Sequence, residues 1–230
     1  MKILVTGGAG FVGTNLIKRL LGDGHDVVSL DNYCTGFKSN HQDGCKYFDI
    51  DVTDSFDLQS VLLNIDIDMI YHLAALARIQ PSIKNPTPAI RNNFDSTLNI
   101  LEWARENEKP IVFAGSSSFH HGLWGSPYAW SKHAGEQLCE LYNKVYGLQS
   151  VTCRFYNVYG PHQLESGTYA TVIGIFEKQY REGRALTVTG NGEQRRDFTH
   201  IDDIVDGLIR CGDNIENVNG EIFELGRGVN

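Results

Sequence analysis

The sequence predicts an α/β fold in which helices cover both faces of a doubly wound parallel sheet. Short β-branched runs alternate with helix-length amphipathic segments over roughly the first two thirds of the chain. Several of these runs are apolar nearly throughout, which is typical of strands buried on both faces of a parallel sheet. With 230 residues, of which 41% are hydrophobic, the chain can bury one sizeable core.

The predicted elements follow one another regularly up to about residue 156. Strands are predicted at residues 3–6, 26–30, 46–50, 68–73, 110–115 and 150–155. Helices are predicted at residues 11–22, 54–64, 87–107 and 128–146. In the third helix, apolar side chains recur at steps of three and four residues, as a core-facing stripe requires. We therefore expect right-handed crossovers between parallel strands.

The pattern changes after residue 156. Loop-like, turn-rich stretches separate two further predicted helices, at 170–182 and 202–211. A late run, residues 221–226, is predicted to be a strand that returns to the sheet. The chain is thus predicted to contain a sheet-forming domain at residues 1–160 and a smaller, shortened substrate-binding part at residues 161–230.

Composition and charge exclude several classes of function. The net charge is −8 without a basic stripe, which disfavours nucleic acid or an anionic membrane as a partner. No apolar run reaches the length of a membrane span, and the N-terminus does not resemble a signal peptide. The five cysteines form no C-x-x-C pair, which predicts reduced thiols in a cytoplasmic protein. His120 and His121 are adjacent and face opposite ways on an extended segment, so no metal site is predicted.

Three glycines directly after the first strand predict a dinucleotide site. Gly7, Gly10 and Gly13 open the first helix, where glycine permits a tight turn and close approach of a pyrophosphate to backbone amides. Asp31 follows Gly13 by 18 residues, a spacing expected for the carboxylate that binds a ribose 2′-hydroxyl. This carboxylate favours NAD over NADP, because it repels a 2′-phosphate. The alternative is a strand-end aspartate that caps a turn.

A second cluster predicts proton-transfer chemistry. Tyr128 and Lys132 lie four residues apart on a predicted helix that Ser126 caps and Pro127 begins. They share a helical face, so the ammonium group is expected to lower the pKa of the phenol. A serine at the end of the preceding strand can hydrogen-bond the same substrate hydroxyl. Together with a dinucleotide, this arrangement suits reversible oxidation of an alcohol.

Several motifs in order make the sequence resemble the extended short-chain dehydrogenases/reductases of the nucleotide-sugar epimerase and dehydratase group. The motifs are TGGAGFVG, Asp31-Asn32, DVTD (51–54), HLAA (72–75), the serine cluster, SPYAWSK, RFYNVYGP (154–161) and GNGEQRRDFTHIDD (190–203). The resemblance implies a Rossmann-type sheet and an NAD cofactor. It also implies NAD contacts at Phe11, Val12, Asp31, Asn32, Asp51, Val52, Leu73, Ala74, Ala75, Asn93, Tyr128, Lys132 and Tyr156. From the residues alone, a turn aspartate is an equally good interpretation of Asp51.

The same resemblance assigns a subfamily. Dehydratases of this group carry an Asp-Glu pair after the catalytic hydroxyl residue, and decarboxylases carry a Glu there. The corresponding positions are Ser118 and Phe119, so both reactions are disfavoured. The catalytic hydroxyl is then Ser117, with an ambiguity of one residue within the triple serine. Ser117 and Ser118 are also predicted to contact substrate.

The remaining reaction implied is epimerisation at C4 of a nucleotide-linked sugar, UDP-hexose or UDP-N-acetylhexosamine. NAD⁺ oxidises C4, the 4-keto sugar turns over, and the hydride returns to the opposite face. Arg196 resembles the arginine that binds the diphosphate in this family, and Asn157 and Val172 also occupy nucleotide-contact positions. An ion pair of Arg196 with Asp197 or Asp202 is the structural alternative.

Two departures from the family keep other functions open. Ser117 and Tyr128 are only 11 positions apart, a shorter connection than is usual, and the family normally extends beyond the late strand. The alternatives are a nucleotide-linked keto-sugar reductase and a non-catalytic dinucleotide-binding homologue. The helices at 87–107 and 128–146 resemble those that pair across the dimer interface in this family, so a homodimer is expected.

Overall fold

The computed structural model describes residues 1–228. The strands are β1 (Lys2–Thr6), β2 (Asp26–Asp31), β3 (Cys45–Asp49), β4 (Met69–His72), β5 (Ile111–Ser116), β6 (Ser150–Phe155), β7 (Val158–Tyr159), β8 (Thr199–His200) and β9 (Ile222–Leu225). The helices are α1 (Phe11–Gly22), α2 (Ser55–Leu62), α3 (Ile79–Lys84), α4 (Pro86–Glu106), α5 (Pro127–Tyr146), α6 (Val172–Arg181) and α7 (Ile201–Asp213). Short 3-10 turns include Ser117–His121 and Leu123–Gly125.

Seven strands form one parallel sheet in the order β3-β2-β1-β4-β5-β6-β9. The strand order reverses between β1 and β4. In open α/β sheets such a reversal leaves a crevice at the carboxyl ends of the strands, where ligands bind. The Rossmann-type fold predicted from the sequence is confirmed.

Apolar side chains on the two faces of the sheet form two cores. Ile3 and Val5 of β1 face one side, where α1 and α7 pack, while Leu4 faces α2, α4 and α5 on the other side. This alternation follows from the two-residue repeat of a strand. Because both faces are covered, the central strands are buried throughout, which explains their nearly continuous apolar sequences.

Helix α5 begins and ends where its sequence indicates. The Ser126 hydroxyl accepts a hydrogen bond from the amide of Ala129 at 3.1 Å, and Pro127 occupies the first helical position. Gly147 follows the last turn with a φ of 70°, the left-handed conformation that glycine adopts without steric cost. These caps fix the position of the Tyr128 and Lys132 face relative to β5.

The region after residue 160 returns to the sheet. Helix α7 packs beside α1 in the first core, and β9 pairs in parallel with β6 from Thr152–Ile222 to Phe155–Leu225. Three short elements had no counterpart among the predicted elements, namely α3 and the two-residue strands β7 and β8. Elements this short carry too few residues for a periodic pattern. Within residues 1–228, no helix is both long enough and apolar enough to cross a bilayer.

Candidate active site

A cleft opens at the carboxyl ends of β1, β2 and β4, at the reversal of strand order. Most of the predicted cofactor residues line it. They are Gly7, Gly10, Phe11, Val12, Gly13, Asp31, Asn32, Val52, Leu73, Ala74 and Ala75. The fold thus brings together residues from the first glycine turn and from the loops that follow three different strands.

The glycine turn has no room for side chains. Gly7 has a φ of 71°, and its amide donates to the carbonyl of Leu30 at 2.8 Å. A Cβ at Gly13 would lie 2.2 Å from the carbonyl oxygen of Gly7. A Cβ at Gly7 would lie 2.9 Å from the amide nitrogen of Ala74. Glycine at both positions is therefore a packing requirement of this turn.

The entrance of α1 fits the diphosphate of a dinucleotide. Gly10 caps the helix without a side chain, and the first turn carries no acidic residue, so free amides and partial positive charge face the cleft. Asp31 lies at the cleft edge, where its carboxylate accepts the amides of Ala9 at 2.9 Å and Tyr33 at 2.8 Å. Burial raises the pKa of Asp31, and these two hydrogen bonds oppose the rise. The residues present thus fit NAD.

Five predicted cofactor residues do not line the cleft, namely Asp51, Asn93, Tyr128, Lys132 and Tyr156. Two of them, Asp51 and Asn93, hold the loops that do. Asp51 accepts from the side chain of Asn32 at 2.9 Å and from the amide of Thr53 at 2.9 Å, which is the turn role considered from sequence. Asn93 is buried, where it accepts from the amide of Leu76 at 2.7 Å and donates to Ser131 at 3.0 Å. Asn93 thereby ties the loop after β4 to α5.

The chemical end of the site joins α5 to the end of β5. The Tyr128 hydroxyl donates to the Ser116 hydroxyl at 3.1 Å. The sequence prediction names Ser117 as the catalytic hydroxyl with an ambiguity of one residue, and in the structure Ser116 is the serine that bonds the phenol. The reason is that β5 extends through Ser116, whereas Ser117 already begins the 3-10 turn of the short connection. The Ser118 hydroxyl is buried and has no hydrogen-bond partner among the described residues.

Lys132 lies inside the protein, one helical turn after Tyr128. Its ammonium group is buried, 4.5 Å from the ring centre of Phe113, and burial lowers its pKa to about 8 against the opposing effect of Glu136. Burial raises the pKa of the Tyr128 phenol, while the Ser116 hydrogen bond and the positive charge of Arg78 lower it. The Arg78 guanidinium is thus a cation that favours the phenolate, and the sequence analysis did not name it.

A buried ion-pair network that the sequence analysis missed lies behind Ser116. Glu136 accepts from Arg154 Nε at 3.1 Å and Nη2 at 2.7 Å, and Arg154 Nη1 reaches Glu224 at 3.0 Å. The ring of Phe119 lies 3.8 Å from the guanidinium carbon of Arg154, and His120 reaches Glu224 at 2.8 Å. Two features of the sequence could have indicated this network. Arg154 is a charged residue within an otherwise largely apolar strand, and Glu136 follows Lys132 by four residues on α5.

Three predicted substrate residues, Asn157, Val172 and Arg196, and the predicted cofactor residue Tyr156 lie outside the cleft lining. Asn157 donates to the carbonyl of Asp197 at 2.8 Å, and the Tyr156 hydroxyl donates to Glu224. Val172, at the start of α6, follows a residue that lines the cleft. Arg196 is exposed and donates to a neighbouring backbone carbonyl at 2.7 Å. Within residues 1–228, its side chain forms neither of the ion pairs considered from sequence.

Several cleft residues were not predicted from sequence. Arg78 precedes α3 and donates from Nε to the carbonyl of Tyr169 at 3.1 Å. The segment after β7 closes the opposite side of the cleft through Gln163, Leu164, Tyr169 and Thr171. No motif marks these residues, because they meet the cleft only through tertiary packing.

Comparison with known proteins agrees with this geometry. Residues 3–226 match the family model described as the NAD dependent epimerase/dehydratase family. The chain belongs to this family. A cleft lined by the glycine turn and a hydrogen bond between Tyr128 and Ser116 are consistent with that membership.

Related members of the family differ in activity. The chain is 33% identical to a putative UDP-glucose 4-epimerase of Methanocaldococcus jannaschii, over 98% of this chain and 77% of the relative. It is 32% identical to a UDP-N-acetyl-alpha-D-glucosaminuronate decarboxylase of Bacillus cytotoxicus, over 98% and 74%. The crystal structure of the Thermotoga maritima UDP-glucose 4-epimerase with UDP-glucose superimposes with a TM-score of 0.91 at 27% identity, covering 98% and 77%. NAD-dependent chemistry on a UDP-linked sugar is therefore supported.

Proposed function

We propose that this protein interconverts the two C4 epimers of a UDP-linked sugar through a transient 4-keto intermediate. The observation that carries the proposal is the hydrogen bond from Tyr128 to Ser116, in a fold whose glycine turn lines a cleft that fits NAD. The candidate substrates are the UDP-hexoses and UDP-N-acetylhexosamines that the family resemblance implies, together with UDP-hexuronates, because a relative 33% identical is named UDP-glucuronate 4-epimerase. Bound NAD⁺ supplies the hydride acceptor and later the hydride donor.

The side chains of the site handle the proton. Tyr128 accepts the proton of the C4 hydroxyl as the sugar is oxidised and gives it back as the carbonyl is reduced. Ser116 holds the phenol by a hydrogen bond and can bond the same sugar oxygen. The positive charge of Arg78 favours the phenolate, and Lys132 adds a buried cation behind the site. These groups serve both epimers equally, as a reversible reaction requires.

The two residues at positions 118 and 119 favour epimerisation over dehydration or decarboxylation. Counted from Ser117, the family resemblance places the additional acid or base of those enzymes at Ser118 and Phe119, and counted from Ser116 it places them at Ser117 and Ser118. A hydroxyl and a phenyl ring do not act as a carboxylate. In addition, Phe119 packs on the Arg154 guanidinium, so its ring belongs to the network behind Ser116.

The proposal is tested by incubating the purified protein, without added cofactor, with UDP-galactose, UDP-N-acetylgalactosamine and UDP-galacturonate. We expect conversion of at least one of them to its C4 epimer, read by chromatography or NMR. Ser116→Ala should reduce the rate by about 10²-fold or more, while the matched Ser117→Ala should retain most of it. Absence of epimerisation with all three sugars refutes the proposal. Equal loss in both variants refutes the role of Ser116.

Sugar binding and assembly complete the proposal. We keep Arg196, Asn157 and Val172 as proposed contacts of the nucleotide diphosphate, reached through movement of their loops when substrate binds. Exposed apolar side chains on α5, namely Leu141, Val145 and Tyr146, support a homodimer through α4 and α5. Light scattering at micromolar concentration should give twice the mass of one chain. A cytoplasmic location stays a prediction from the cysteine pattern.

A further inference from the structure

Arg78 is a cleft residue whose charge has no anionic partner among the described residues. Its guanidinium group lines the same cleft as the glycine turn and is half-buried. Within residues 1–228, its one hydrogen bond runs from Nε to the carbonyl of Tyr169, and no carboxylate pairs with it. The two terminal nitrogens, which suit bidentate recognition of a planar anion, are left to the cleft.

Arg78 lies in the part of the cleft that adjoins the start of α5. The side chain of Ser82 in α3 accepts the amide of Tyr128 at 3.1 Å, which ties α3 to the start of α5. Arg78 immediately precedes α3, and its charge acts on the Tyr128 phenol. A sugar whose C4 hydroxyl meets Tyr128 therefore presents its neighbouring substituents to Arg78.

Burial of a guanidinium is costly unless an anion accompanies it. The described part of the chain offers no such anion at Arg78. The diphosphate of NAD already has donors at the entrance of α1, where the glycine turn leaves free amides. An anion on the sugar itself is thus the group that matches the remaining charge. In a hexose, C5 is a ring neighbour of C4, and the exocyclic C6 that it carries can be oxidised to a negatively charged carboxylate.

We propose that Arg78 binds the C6 carboxylate of a UDP-linked hexuronate and selects this class over neutral UDP-hexoses. The inference rests on the proposed function for the orientation of C4 toward Tyr128. Nε remains bonded to Tyr169, so the two terminal nitrogens face the carboxylate while the segment that closes the cleft stays in place. Recognition of an anion also explains why this arginine lies in the cleft and not on the exposed surface.

The test compares ligand binding in Arg78→Met and in Lys84→Met, a control that removes one positive charge from an exposed position at the end of the same α3 helix. Calorimetry with UDP-glucuronate and UDP-glucose, each in the presence of NAD, gives the affinities without requiring turnover. We expect the wild-type protein to bind UDP-glucuronate more tightly than UDP-glucose. Arg78→Met should lose about 10- to 100-fold in affinity for UDP-glucuronate and little for UDP-glucose, while Lys84→Met changes neither.

The following results decide between this inference and its alternatives. Equal weakening of both sugars in Arg78→Met overturns the inference, as does a wild-type preference for UDP-glucose. Loss of NAD affinity in the same variant, with the sugar preference unchanged, assigns Arg78 to the cofactor diphosphate and overturns the inference as well. Arg78→Lys, which keeps the charge but not the planar fork, should retain part of the uronate preference.

Failure of the proposed function is distinguishable from failure of this inference. If no UDP-sugar is epimerised but Arg78→Met still loses the uronate preference, the binding site stands and the reaction is different. If UDP-sugars are epimerised with equal efficiency whether or not they carry a carboxylate, the reaction stands and the role of Arg78 is wrong.

Discussion

Replacement of Glu136 by glutamine tests the buried network that supports Ser116 and Lys132. Glu136 and Arg154 have side chains only 3% and 9% exposed, and Arg154 Nη2 approaches the carboxylate to 2.7 Å. The substitution keeps the size of the side chain but removes its charge. Arg154 then remains buried with Glu224, at 3.0 Å, as its one carboxylate partner within residues 1–228.

The expected loss of stability follows from that geometry. Removing one partner of a buried ion pair costs about 3–5 kcal/mol, because the other charge stays desolvated. Glu224 still neutralises part of the Arg154 charge, and the glutamine oxygen can accept one of the lost hydrogen bonds. We therefore expect a decrease in the free energy of unfolding of about 3 kcal/mol, at the low end of that range.

Urea unfolding followed by circular dichroism measures this effect. For a chain of this size the decrease corresponds to a shift in midpoint of about 1 M urea. The control is Glu140→Gln, one helical turn later on α5, where the carboxylate pairs with Lys144 in an exposed position. This control should leave the midpoint unchanged, because exposed ion pairs contribute little.

The two variants make the same chemical change on the same helix, and they differ in the burial of the carboxylate and in the number of hydrogen bonds that it accepts. If Glu136→Gln shifts the midpoint no more than Glu140→Gln, the interpretation of the network as a strong, desolvated ion pair is wrong. A larger shift in Glu136→Gln, with an unchanged slope of the free energy against urea, supports it.

Two other predictions concern a buried imidazole and the glycine turn. His72 bonds the hydroxyls of Thr6 at 2.7 Å and Thr97 at 3.1 Å, and burial lowers its pKa to about 3. The unfolded chain protonates His72 near pH 6.5 whereas the folded protein does not, so the free energy of unfolding should fall as pH drops below 6.5, by up to about 1.4 kcal/mol per pH unit. Urea unfolding at pH 7 and pH 5 should show a smaller fall in His72→Gln, and an equal fall would contradict the role of this proton. Gly13→Ala should abolish retention of NAD during purification, because the new methyl group would lie 2.2 Å from a backbone oxygen. The control Gly22→Ala, with no described atom within 4 Å of the new methyl group, should retain the cofactor. Full retention of NAD in Gly13→Ala would show that glycine is not required at this position.

Patterns of residues close together in the sequence predicted the fold and most of the residues that line the cofactor cleft. The alternation of strands and helices, the glycine turn and the caps of α5 are each determined by residues a few positions apart. Eleven of the predicted cofactor residues line the cleft, because they lie at strand ends and helix starts whose places in the fold are fixed by that alternation. Membership of the family followed from the same motifs.

The sequence did not predict which residue of the triple serine lies beside Tyr128. Its three hydroxyls are chemically alike, and the sequence does not say at which residue β5 stops. The structure ends β5 at Ser116, so this residue meets Tyr128 and Ser117 does not. The choice depends on the pairing of β5 with β6, which is a contact between distant parts of the chain.

The sequence by itself determined a parallel α/β sheet, an NAD-type glycine turn and a tyrosine and lysine on one helical face. Only the tertiary structure brought Ser116 within hydrogen-bond distance of that tyrosine, placed Arg78 in the cleft and placed the Arg154–Glu136 pair behind Ser116. The physical reason is one of range. Backbone conformation depends on neighbouring residues, whereas the desolvation and pairing of a charge depend on whichever segments pack around it.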